Sequence, residues 1–80
     1  MSDWKPVGVV AEGEAIDLLG VNPWSHNWKK KDDSGLRLPH PSYPQQLHAL
    51  DIYEIEMGGR RICFAAGELS ANVWGFYVPA

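Results

Sequence analysis

Three histidines (His26, His40, His48) and one cysteine (Cys63) are the residues whose chemistry could support a metal site or covalent catalysis. Neutral imidazole is a good zinc ligand, and Asp51 or Asp32 could complete such a site. The spacing does not support one, because no two histidines have the three to five intervening residues of a compact His-His motif. A nucleophilic hydrolase needs a Ser, Thr or Cys beside a base that a third group orients. The chain has no threonine and no Gly-x-Ser-x-Gly turn, and Cys63 falls within a strand pattern, where it reads as a small buried hydrophobe. No Gly-Lys-Ser/Thr phosphate loop occurs either. These residues therefore predict neither an enzyme nor a bound metal or cofactor.

Other side chains are better suited to recognition. Trp24, Trp28, His40 and Tyr43 cluster in a segment that no regular strand pattern absorbs. Trp and Tyr are enriched at interface hot spots, and loops held by a rigid sheet commonly carry binding. The competing reading is that two tryptophans simply close the core of a small domain.

The elements that position these residues must come from 80 residues, of which 45% are hydrophobic and 21% charged, with a net charge of -3. That length fits one domain, residues 1–80, and its composition is that of a folding chain. A lone cysteine excludes an intramolecular disulfide framework or a multi-cysteine metal ribbon. The acidic balance disfavours a nonspecific phosphate binder, so nucleic acid is not the expected partner. No apolar run approaches the length of a membrane helix, and Met1-Ser2-Asp3-Trp4 has no signal-peptide character. A cytoplasmic protein is the expectation, with no membrane partner.

Residues 47–66 read as a β-hairpin turning at Gly58-Gly59, a pair able to take the positive φ angles of a tight hairpin turn. This turn sets Ile55 opposite Ile62 and Tyr53 opposite Phe64 on one face, and Glu56 opposite Arg61 on the other. A further strand is expected at residues 73–78 after a loop at 67–72. With Ala66 paired to Val73, Phe64 covers Gly75 and Ile62 lies beside Tyr77. Residues 7–18 read as a second hairpin tipped by Glu12-Gly13, aligning Val9 with Ile16 and Val7 with Leu18; a short helix over 14–19 is the alternative. Asn22 caps a short helix with Pro23 at its first position, Trp24 and Trp28 on one face, and Lys29, Lys30 and Lys31 in its last turn. The prolines at 39, 41 and 44 make residues 38–44 an extended, polyproline-like loop.

Glu14-Ala15-Ile16-Asp17-Leu18-Leu19-Gly20-Val21-Asn22-Pro23, together with Gly59-Arg60-Arg61 and Glu68-Leu69, resembles the first helix, the wing and the following helix of MerR- or excisionase-type winged helix-turn-helix proteins. The resemblance implies a small DNA-binding regulator. Its recognition helix would be Trp24-Ser25-His26-Asn27-Trp28, which offers no arginine to base edges.

The expected fold is mainly β: a small antiparallel sheet or barrel-like domain with two hairpins, a C-terminal strand and one short helix. The alternative is α+β, with an N-terminal helix on a three-stranded sheet. The expected function is a non-enzymatic protein-interaction module of accessory, inhibitor or immunity type, with the winged-helix regulator second. Apolar residues fall on both faces of the C-terminal sheet, so a protein partner or a two-fold homodimer is expected to cover some of them. Trp24, Trp28, His40, Tyr43, Trp74 and Phe76 are the candidate contact residues. The hairpin itself is directly testable. Gly59→Val places a β-branched residue where φ must be positive, and should lower stability in urea by about 1–3 kcal/mol.

Overall fold

The computed structural model describes residues 3–80, and describes 32–35 by their backbone alone. Five strands form one antiparallel sheet: β1 (Trp4–Ala11), β2 (Lys29–Pro39), β3 (Leu47–Met57), β4 (Arg60–Ser70) and β5 (Val73–Pro79). Their spatial order is β1-β5-β4-β3-β2, so the two ends of the chain pair with each other at one side. The fold is mainly β, as expected. Among the described residues the helical content is a single 3-10 turn at Pro23–Ser25, and no helix is long and apolar enough to cross a membrane.

The β3–β4 hairpin has the expected register. Gly58 and Gly59 adopt φ of 56° and 81°, and Ile55 faces Ile62, Tyr53 faces Phe64 and Glu56 faces Arg61. The Arg61 guanidinium donates to the Glu56 carboxylate at 3.0 Å, on an exposed surface where such a pair adds at most about 1 kcal/mol.

The last strand is where expected, but its register differs. There is no six-residue loop before it, because β4 continues to Ser70 and Ala71-Asn72 alone makes the turn, with Asn72 at φ 60°. Ser70 pairs with Val73, Glu68 pairs with Trp74, and Leu69 between them is a bulge without a partner. Ala66 therefore faces Phe76 rather than Val73, and Gly67 rather than Phe64 faces Gly75. The slip is an odd number of residues, so it reverses the strand's faces. Trp74, Phe76 and Val78 join Phe64 and Ile62 on one face, and Tyr77 goes to the other. The two glycines are explained by what lies over them: an added Cβ at Gly67 would lie 2.5 Å from the Leu50 side chain and 2.9 Å from the Ala49 carbonyl oxygen, and one at Gly75 would lie 2.8 Å from the Leu69 side chain.

At the N-terminus strand wins over helix, yet the second hairpin does not form. β1 pairs with β5 instead of with residues 14–20, and no helix covers residues 14–19. At Glu12-Gly13 the chain turns away from the sheet, with the Glu14 N–H donating to the Ala11 carbonyl at 2.9 Å. A second reversal follows at Leu19-Gly20, both at positive φ, closed by paired hydrogen bonds between Leu18 and Val21. Leu18 is driven fully into the core by this reversal, while Leu19 stays outside. The winged-helix resemblance fails on the same ground: residue 68 lies in a strand, and residues 14–20 form no helix.

The central helix is shorter than expected. Asn22 caps it through its side-chain oxygen and Pro23 opens it, but the backbone is already extended at His26. Lys29, Lys30 and Lys31 consequently sit in β2, not in a last helical turn. Leu38 and Pro39 also belong to β2, so the connection lies at residues 40–46, two residues later than the expected polyproline-like loop.

Residues 12–28 pack across one face as a strap, closing a core of Leu18, Val21, Ile55, Ile62, Phe64 and Phe76. The other face is closed by curvature. Tyr77 on β5 donates its hydroxyl to the Pro39 carbonyl of β2 at 2.9 Å, although β4 and β3 lie between them. In a flat sheet those strands would be about 14 Å apart, beyond the reach of a tyrosine. The sheet must therefore coil around Tyr77, Leu50 and Ala65, with Trp4, Leu36, Leu38 and Leu69 packed beside them. It stops short of a barrel, since β1 and β2 end the strand order unpaired to each other.

Burial raises the Tyr77 phenol above the ordinary value of 10.0. The folded state thus holds its proton more tightly than the unfolded chain does. Its contribution is complete below pH 10 and is lost as the pH climbs from there through the folded value. Tyr77→Phe should cost about 1 kcal/mol at neutral pH by removing one hydrogen bond, and should flatten the alkaline decline. Urea unfolding from neutral pH to about pH 11 measures both effects.

Candidate functional site

The six candidate contact residues separate into two groups. Trp24 and Trp28 of the strap converge on Trp74 and Phe76, with Phe64 and Tyr53, on the sheet beneath. Trp24 and Trp28 lie 5.0 Å apart between ring centres, and Trp28 meets Phe64 at 5.4 Å, Phe76 at 5.6 Å and Trp74 at 5.8 Å, all three edge to face. Each such pair contributes about 0.5–1.5 kcal/mol beyond its buried area. Two hydrogen bonds fix the tilt of the cluster. The Trp28 indole N–H donates to the Pro23 carbonyl at 2.6 Å, and the Trp74 indole N–H donates to Glu12 at 3.1 Å. Phe76 is 0% exposed, so it offers no surface to a partner, and Trp74 is half-buried by the same strap. The open patch expected at Trp74 and Phe76 is thus closed within the chain. The reversed register of β5 is the physical reason.

His40 and Tyr43 remain at the surface. They belong to the connection between β2 and β3, which three backbone hydrogen bonds make into a defined loop. The His40 N–H donates to Gln46 at 2.8 Å, the Tyr43 N–H to His40 at 3.2 Å, and the Gln46 N–H to Tyr43 at 2.9 Å. The Ser42 N–H donates to Nδ1 of His40, which places the proton of a neutral His40 imidazole on Nε2. Ring contacts carry the order further, with His40 5.1 Å from Tyr43 and 5.4 Å from His48. Tyr43 and Leu47, at 54% and 60% exposure, are the most exposed large hydrophobic side chains among the described residues. The sequence pattern singled out Tyr43 but not Leu47, which it read only as the first residue of the hairpin over residues 47–66.

His40 and His48 come together, while His26 closes the 3-10 turn, its N–H donating to the Pro23 carbonyl. Among the described residues no three His, Cys, Asp or Glu side chains converge as a metal site. Cys63 is half-buried in β4 opposite Glu54.

A second surface feature joins residues that sequence reading kept apart. A cavity of about 350 Å³ is lined by Lys29, Lys30, Lys31, Glu54 and Arg61. Lys31 lies 3.6 Å from the Glu54 carboxylate, which is itself only 17% exposed, and Lys30 lies 3.6 Å from Asp51. Nearby, burial raises the Tyr53 phenol pKa and Asp51 adds to the rise, while Lys30 opposes it. Lys29–Lys31 read in sequence as a charge run offset by Asp32 and Asp33, whose side chains lie outside the described residues.

The two aromatic groups are distinguishable by stability alone. Trp28→Ala should destabilise by about 3–5 kcal/mol, as expected for an aromatic removed from a core. Tyr43→Ala should stay within about 0.5 kcal/mol of the parent, as for a surface position. Equal losses in urea unfolding would show that the loop, too, is a structural element.

No protein-family model matches the chain, and no curated protein or solved structure matches it either.

Proposed function

We propose that this chain is a non-enzymatic protein-interaction module whose contact surface is the loop of residues 40–46 together with Leu47, the first residue of β3. The observation supporting this reading is the exposure of Tyr43, on a loop already held by its own backbone hydrogen bonds, and of Leu47 where β3 begins. A loop ordered before binding loses little conformational freedom on binding, which is the main saving available to a small interface. Tyrosine suits the role because it presents a large rigid area with a polar tip. Pro39, Pro41 and Pro44 stiffen the same segment.

The sheet edges are poor alternatives. On β1, Pro6 has no N–H to give, the register shifts between Pro6 and Gly8, and Glu14 engages both the N–H and the carbonyl of Ala11. On β2, three consecutive lysines and two register shifts interrupt the ladder. Charge, proline and bulges are the devices by which sheets discourage strand addition.

A photoreactive phenylalanine analogue at position 43 or 47, compared with one at position 56, tests the reading in cells. The same protein should crosslink at the first two positions and not at the third. Tyr43→Ala should then weaken the purified complex about tenfold or more, as for an interface hot spot. If that protein is the chain itself, sedimentation will show a dimer that Tyr43→Ala dissociates. Equal crosslinking at position 56, or a complex indifferent to Tyr43→Ala, would remove the loop from the interface.

A further inference from the structure

Lys29 pairs with Glu54 and Lys30 with Tyr53, whereas Asp32 pairs with Ile52, so Lys31 is an extra residue in β2. In a regular strand, neighbouring side chains point to opposite faces, and three consecutive lysines could not share one surface. The bulge relaxes that alternation, and Lys29, Lys30 and Lys31 all line the cavity with Arg61 from β4. Re-aiming a side chain is a recurrent use of bulges beside functional sites.

Among the described residues the wall carries four cations and one carboxylate, on a chain whose net charge is -3. Asp51 and Glu56 temper this from outside the cavity, through Lys30 and Arg61. Both of those pairs are exposed, and such pairs part readily. Glu54 behaves as a resident counter-ion, held under Lys31 at 3.6 Å and largely shielded from water.

We propose that this cavity binds a phosphate monoester. A dianion matches a wall of converging cations better than a single carboxylate does, and ammonium and guanidinium groups supply the charge-assisted donors that phosphate oxygens accept. The volume of about 350 Å³ lies at the small end for ligand pockets, enough for the phosphate and a compact group attached to it. Two sources share this chemistry: a small phosphorylated metabolite and a phosphorylated side chain of another protein. The cavity lies at the Lys29 end of the β2–β3 ladder, opposite the loop of residues 40–46, so it stands or falls separately from that loop.

The test is a titration of isotopically labelled chain with inorganic phosphate, a sugar monophosphate and a phosphoserine peptide at constant ionic strength, followed by amide chemical shifts. Saturable changes should concentrate at Lys29, Lys31, Glu54 and Arg61. Lys29→Gln and Arg61→Gln should each weaken binding about tenfold, the effect of one charge-assisted contact. Glu54→Gln should tighten it by removing the competing carboxylate. Lys5→Gln, an equal change of charge on β1, should leave it unaltered. Whichever of the two esters binds more tightly identifies the source. Changes that never saturate, or an equal effect from Lys5→Gln, would overturn the proposal. So would a short DNA duplex that saturates these residues while the monoesters do not, since the patch would then follow a nucleic-acid backbone.

Discussion

Leu69 has no partner in the β4–β5 ladder, and that one extra residue determines which way the last strand faces. Side chains alternate along a strand, so a single insertion exchanges the two faces of everything beyond it. With the bulge, Trp74, Phe76 and Val78 lie over the face that carries Phe64 and Ile62. Without it, Tyr77 would take their place and the aromatic cluster could not assemble. Trp24 and Trp28 depend on this arrangement, because Phe76 and Trp74 are ring neighbours of both. The strap of residues 12–28 in turn depends on the two tryptophans, which anchor its far end. Leu69 is not idle either: its side chain covers Gly75, where no other side chain could sit at that distance.

The opposite face uses curvature where the first uses a cover. A strap long enough for both faces is not available in 80 residues. Coiling the sheet lets β2 approach β5 across two intervening strands, and the Tyr77–Pro39 hydrogen bond records how closely. Gly67 permits the same movement, because Leu50 and the Ala49 backbone occupy the space a side chain would need. A coiled sheet that does not close leaves two edges, and this chain guards both: one with proline and a capping glutamate, the other with lysines and bulges. Among the described residues the large hydrophobic side chains left exposed are Val9, Leu19, Tyr43 and Leu47. The two candidate sites lie at opposite ends of the β2–β3 ladder, one an apolar loop and the other a basic cavity.

The β3–β4 hairpin was legible residue by residue, since Gly58-Gly59 fixes its register and alternation confirms it. The cap at Asn22 with Pro23 was equally local and equally readable. The contact residues were readable only in part. Trp24, Trp28, Trp74 and Phe76 have the composition of an interface and the positions of a core, and no feature of residue type separates the two. His40 and Tyr43 lie on the connection at the end of the β2–β3 ladder, which its own backbone hydrogen bonds close beyond the sheet's core.

The amino-acid sequence by itself determined the strand-rich class, the hairpin that turns at Gly58-Gly59, the place of β5, and the cap at Asn22. Those features depend on alternation and on φ preferences within a few residues, which are written locally. Tertiary structure alone decided that β1 joins β5, that Leu69 is a bulge, and that three consecutive lysines share a cavity. Each of those depends on a pairing between distant segments, whose free energy comes from the area the whole sheet buries and not from either segment.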